Sequence, residues 1–126
     1  MALHSPELLE HFQNPRNVGQ LAPPAVTVEV TNPACGDILR LAVRFEEGRI
    51  VGTAYQVRGC TASIAAGSAL TEWLQGKTRD ELQAHPPEAI REAITIALGG
   101  LPAASTHVAV LCADGVKALL SKSAVS

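Results

Sequence analysis

The 126-residue chain has no large surplus of either charge: ten Lys and Arg stand against twelve Asp and Glu, for a net charge of −2. With no basic excess there is nothing to neutralise a phosphate backbone, so nucleic-acid binding is not expected as a main function. No apolar run approaches the ~20 residues that a membrane-spanning helix needs. The opening stretch, Met1 to Glu10, is polar and acidic and lacks the basic-then-apolar plan of a secretory signal. These absences lead us to expect a cytoplasmic chain that does not engage a membrane. Cysteine is scarce and odd in number, three in all, which rules against a disulfide framework. In a reducing compartment thiols serve as ligands, as nucleophiles or as small core hydrophobes. Internal repeats and low-complexity tracts are also missing. The length suits a single domain, 1–126, which buries roughly 65–70% of the surface its unfolded chain exposes.

What is present reads as an α+β chain. Ser5-Pro6-Glu7 opens a short N-terminal helix, with Ser5 as N-cap and Pro6 at its first position; the helix stops at Asn14-Pro15. Val18 to Pro24 reads as loop. Val26, Val28 and Val30 then alternate with polar residues, as do Leu39, Leu41, Val43 and Phe45, and again Val51, Thr53, Tyr55 and Val57. Such period-two patterns predict three half-buried antiparallel strands. Glu46-Glu47-Gly48 is a tight hairpin turn between the second and third. The second half is helical: Ala62 to Gln75, Arg79 to Ala84 behind a Thr78/Glu81 capping box, Glu88 to Leu98, and a last helix from Thr106 or His107 to Ser121. The expected fold is a three-stranded antiparallel meander with helices packed on one face.

Two cysteines fall at the joints between these elements. Cys35 lies in a Pro/Gly turn between the first two strands, and Cys60 follows Gly59 at the start of a helix. A helix N-terminus carries free N–H groups and partial positive charge, which favour the thiolate that binds soft metals and iron–sulfur units. Gly36 and Gly59 remove side chains beside the two sulfurs. Because the second and third strands leave one end of the sheet and return to it, both loops are expected at that end.

Asn32-Pro33-Ala34-Cys35-Gly36-Asp37 resembles the Asn-Pro-x-Cys-Gly-Asp loop of the IscU/NifU N-terminal family of iron–sulfur scaffolds. Gly59-Cys60-x-x-Ser63-x-Ala65-x-x-Ser68 resembles that family's second cysteine motif. Asn14-Pro15-Arg16-Asn17-Val18-Gly19 is similar to its amino-terminal signature, and Leu101-Pro102 leading to His107, Asp114 and Lys117 is similar to its final helix. The resemblance implies a scaffold, not an enzyme, because its product stays bound stoichiometrically. A cysteine desulfurase would deliver sulfur to it, iron would join, and a [2Fe–2S] cluster would form and pass to apo iron–sulfur proteins. It also implies that the same site can hold zinc. By matching position, the implied ligands are Cys35, Asp37, Cys60 and His107.

The chain departs from that pattern after the histidine, where the family's third cysteine is replaced by Val108. The remaining thiol, Cys112, lies four residues on, about 6 Å further along the same helix face. It belongs to the apolar stripe Val108, Leu111, Cys112, Val116, Leu119 and Leu120, so it is either a core residue or a displaced third thiolate. Pro102-Ala103-Ala104-Ser105 stands where the family has a Pro-Pro-Val-Lys chaperone-binding stretch, which argues against recognition by the specialised Hsp70 of the IscU branch. Blander readings exist for each site residue: Asp37 could cap its turn, and His107 could simply begin a helix. His4, His11 and His85 are expected at the surface, Ser63 and Ser68 as inward-facing or capping groups, and Tyr55 and Trp73 in the core or a groove. Two alternative functions follow from the departure at Val108. One is a zinc-containing, SufU-like sulfur-transfer partner of a desulfurase, for which the chain is short of a typical insertion. The other is a degenerate metal-binding regulatory module.

Overall fold

The computed structural model describes residues 4–33 and 36–123. The elements run α1 (Pro6–Gln13), β1 (Val26–Thr31), β2 (Ile38–Glu46), β3 (Arg49–Arg58), α2 (Thr61–Leu74), α3 (Arg79–Ala84), α4 (Pro87–Ala97), a short 3-10 turn (Ala103–Ser105) and α5 (His107–Ser123). The three strands form one antiparallel sheet in the order β1-β2-β3. This is the expected α+β meander with its short N-terminal helix.

Local chemistry explains the joints. Ser5 accepts the Leu8 N–H at 3.0 Å as the N-cap of α1 and donates its hydroxyl to the Leu98 carbonyl, tying α1 to the end of α4. Glu47 and Gly48 both have positive φ, +52° and +78°, which gives the two-residue hairpin the twist that flanking strands require. The Thr78/Glu81 capping box is fully formed.

Val28, Leu39, Leu41, Val43 and Tyr55 form the buried face of the sheet. Against it pack α2, over β3, and α5, over β1 and β2, while α1 and α4 cover the outer sides of α2 and α5 respectively. Tyr55 is buried and donates its hydroxyl to the Ile64 carbonyl of α2 at 2.7 Å. Its ring lies against the bare Cα of Gly67, where a Cβ would overlap the ring edge. The predicted loop after α1 is more than a connection. Val18 makes a parallel bridge beside Tyr55, with the Gly19 N–H on the Tyr55 carbonyl and the Tyr55 N–H on the Asn17 carbonyl, both at 2.9 Å.

Two sequence expectations need correction. Ala103–Lys122 is long and apolar enough, by length and composition alone, to cross a membrane. It is the central helix of this fold, and its apolar stripe is occupied by the sheet and by α2 and α4. His11 was expected at the surface, yet its side chain is only 12% exposed. Its Nδ1 lies 2.8 Å from the Ser68 hydroxyl, and burial, then the nearby Arg16 guanidinium, hold its pKa below the usual histidine value. Ser68 also accepts the Arg16 N–H at 2.9 Å, and the Asn17 side-chain amide donates to the Thr71 hydroxyl at 3.1 Å. These buried polar groups of α2 therefore pin the Asn14–Gly19 segment. Arg16 itself pairs with Glu10 at 2.8 Å and Glu72 at 3.8 Å. Trp73 is half-buried, with Lys77 Nζ 4.5 Å from its ring centroid and the His85 ring edge-on at 5.4 Å.

The Tyr55–Gly67 contact gives a direct test of the packing. Gly67→Ala should gain helix propensity but overpack the α2–sheet interface, for a net loss of about 1–3 kcal/mol, read as a lower urea midpoint at unchanged m-value.

Candidate metal centre

The β2–β3 ladder ends with Ile38 opposite Arg58. One residue further out, Asp37 and Gly59 face each other across the same end of the sheet, and Cys60 follows at once as the N-cap residue of α2. A Cβ on Gly59 would lie 2.8–3.0 Å from the atoms of the Asp37 carboxylate, so only glycine leaves room for that group. The turn leading into Asp37 is closed by the Asn32 N–H on the Asp37 carbonyl at 2.9 Å and the Gly36 N–H on the Asn32 carbonyl at 2.7 Å. Gly36, at φ +75°, supplies the left-handed residue of this turn. The 3-10 turn at Ala103–Ser105 then delivers His107, the first residue of α5, to the same place.

The result is a cluster from three separate segments. Donor atoms of Asp37, Cys60 and His107 all lie within 4.8 Å of one another. His107 Nε2 is 3.3 Å from Asp37 Oδ2, and Cys60 Sγ is 3.9 Å from the same oxygen. Asp37 is 6% exposed and Cys60 is exposed, so the carboxylate forms the floor of the cluster and the sulfur its rim. Metal–ligand bonds of about 2.0–2.3 Å put the donors of a tetrahedral site roughly 3.3–3.8 Å apart. The three groups need to contract by no more than about 1.5 Å to hold one ion. Sulfur, nitrogen and oxygen together suit zinc or iron.

Of the residues singled out from sequence, Asp37, Cys60 and His107 meet; Cys35 lies outside the described residues. Cys112 does not join the cluster. It is 1% exposed within the core, its Sγ is 3.7 Å from the Ala66 carbonyl oxygen, and burial pushes its thiol up to about 12. Val108, at the family's third-cysteine position, is fully buried. Sequence reasoning placed Ser63 inward but missed its bond. The Ser63 hydroxyl donates to Asp37 Oδ2 and lies 3.3 Å from Cys60 Sγ. The available signal was its position three residues after Cys60, one turn up the same helix face.

The model of the NifU-like N terminal domain matches residues 3–124. The iron-sulfur cluster assembly scaffold protein IscU 1 of Archaeoglobus fulgidus is 37% identical over 115 residues, 91% of this chain and 72% of that protein. The iron-sulfur cluster assembly scaffold protein IscU of Azotobacter vinelandii is 36% identical over 119 residues, 91% of this chain and 89% of that one. Among solved structures, the putative scaffold protein for the SUF system from Fervidobacterium islandicum AW-1 superposes with a TM-score of 0.74 at 17% identity, covering 94% of this chain and 96% of that chain. That near-complete mutual coverage shows that the two chains share the fold.

The burial of Cys112 predicts a stability effect without a ligand effect. Cys112→Ala should lower unfolding free energy by about 1 kcal/mol, as other one-atom deletions from a packed core do, and leave zinc affinity within twofold of the parent in a chelator competition.

Proposed function

The chain belongs to the NifU-like N-terminal domain family, and from that membership we propose that it is a scaffold on which iron–sulfur clusters are assembled and passed on. The observation that carries the reading is the convergence of Asp37, Cys60 and His107 at one open end of the sheet. Cys35, in the same loop as Asp37, completes the proposed ligand set. In this reading the thiolates of Cys35 and Cys60 take up sulfur and iron, while Asp37 and His107 supply harder donors that hold the ion less tightly than a full set of thiolates. The exposed rim at Cys60 gives a sulfur donor and a cluster acceptor access to the site. The partners are a cysteine desulfurase and apo iron–sulfur proteins, and the cargo is iron and a [2Fe–2S] cluster. The unpaired thiol of Cys60 calls for a reducing compartment, in keeping with the cytoplasm.

One observation favours a second reading. Val108 occupies the third-cysteine position, and Cys112 is spent in the core. The donors that remain fit a single zinc ion, as in a sulfur-transfer partner of a desulfurase, or a metal-holding module with regulatory duty.

Anaerobic reconstitution with ferrous iron and sulfide separates these readings. The scaffold reading expects visible absorption of a [2Fe–2S] centre, abolished in Cys60→Ala and Cys35→Ala. Stoichiometric zinc, no cluster and stimulation of a desulfurase would replace it with the transfer reading.

A further inference from the structure

Among the described residues, the Asp37 carboxylate is held by one donor that is not a metal ligand. On one side lies the bare Cα of Gly59, which makes room but no bond. On the other, the Ser63 hydroxyl donates to Oδ2. That oxygen is also the one nearest His107 Nε2, at 3.3 Å, and Cys60 Sγ, at 3.9 Å. Ser63 is 2% exposed, so its hydroxyl is nearly shut off from bulk water and bonds within the site. A carboxylate oxygen has lone pairs for two partners, so accepting from Ser63 leaves Oδ2 able to bind an ion as well.

We infer that Ser63 is a positioning residue that holds the Asp37 carboxylate turned toward Cys60 and His107, so that the metal affinity of the cluster depends on a group that never touches the metal. The inference rests on the metal-holding reading of the site and extends it. Hydrogen-bonded partners of ligating carboxylates fix the ligand's orientation, and their loss typically costs about 10–100-fold in metal affinity. Asp37 has a short side chain and is nearly buried. Without the Ser63 hydroxyl, its carboxylate keeps among the described residues only the groups that are themselves ligands, and it can rotate about its last bond.

Ser63 also lies 3.3 Å from Cys60 Sγ, so it could act on the sulfur instead. A double-mutant cycle separates the two routes. Zinc affinity by chelator competition and cobalt(II) ligand-field spectra are recorded for the parent, Ser63→Ala, Ser63→Thr, Asp37→Ala and the Ser63→Ala/Asp37→Ala pair. The expected result is a 10–100-fold loss of zinc affinity in Ser63→Ala, with cobalt bands moved toward those of Asp37→Ala. Recovery is expected in Ser63→Thr, which keeps the hydroxyl, and no further loss when Ser63→Ala is added to Asp37→Ala. Parent-like affinity and bands in Ser63→Ala would overturn the inference. So would an equal loss in the Asp37→Ala background, which would mean that Ser63 serves Cys60. A parent protein that binds neither ion would sink the metal reading. The Asp37 side-chain carboxyl 13C resonance of the metal-free protein would then still decide the role of Ser63: it moves in Ser63→Ala if the hydroxyl holds the carboxylate, and stays put if it does not.

Discussion

The register that sets Ile38 against Arg58 is the constraint on which the site depends. Continued one residue beyond the ladder, it brings Asp37 opposite Gly59, and the missing Cβ there admits the carboxylate. Cys60 follows in the chain and must turn into α2 at that point, because the strand is over. A slip of one residue would send every side chain of β3 to the wrong face. It would take Tyr55 from the core and Gly59 from beneath the carboxylate together. Packing and chemistry are thus set by the same hydrogen bonds.

The two described cysteines show how position alone separates two roles for one side chain. Cys60 stands at the N-terminus of α2, exposed, with Asp37, Ser63 and His107 around it. Cys112 sits in the middle of α5, closed in by the core, and its thiol is driven up to about 12 by the loss of water. A neutral thiol of that kind packs as a small apolar group. His107 divides the same helix in the same way: the first residue of α5 serves the cluster, and Val108, the next, is fully buried. The boundary between site and core on α5 falls within a single peptide bond.

Much of this was legible in the sequence. Period-two alternation marked all three strands, and Ser5, Thr78 and the glycines marked helix ends, because these signals arise from neighbours a few residues apart. Element boundaries differ by at most two residues, as in β3, which begins at Arg49 rather than Val51, since pairing carries a strand past its apolar pattern. The family motifs indicated Asp37, Cys60 and His107. Contacts across long separations were hidden. Nothing local to His11 reveals Ser68, 57 residues away, and nothing local to Ser63 reveals Asp37, 26 residues away. The apolar length of α5 likewise says nothing of whether lipid or protein will cover it; the sheet supplies that answer.

In the proposed site one ion is gripped at once by groups from the β2 entry, the start of α2 and the start of α5. X-ray absorption at the zinc edge of protein loaded with one equivalent of zinc tests it most directly. A mixed shell of sulfur with nitrogen and oxygen, losing its imidazole scattering in His107→Ala, is what the geometry predicts. A shell without sulfur, or one indifferent to His107, would contradict it.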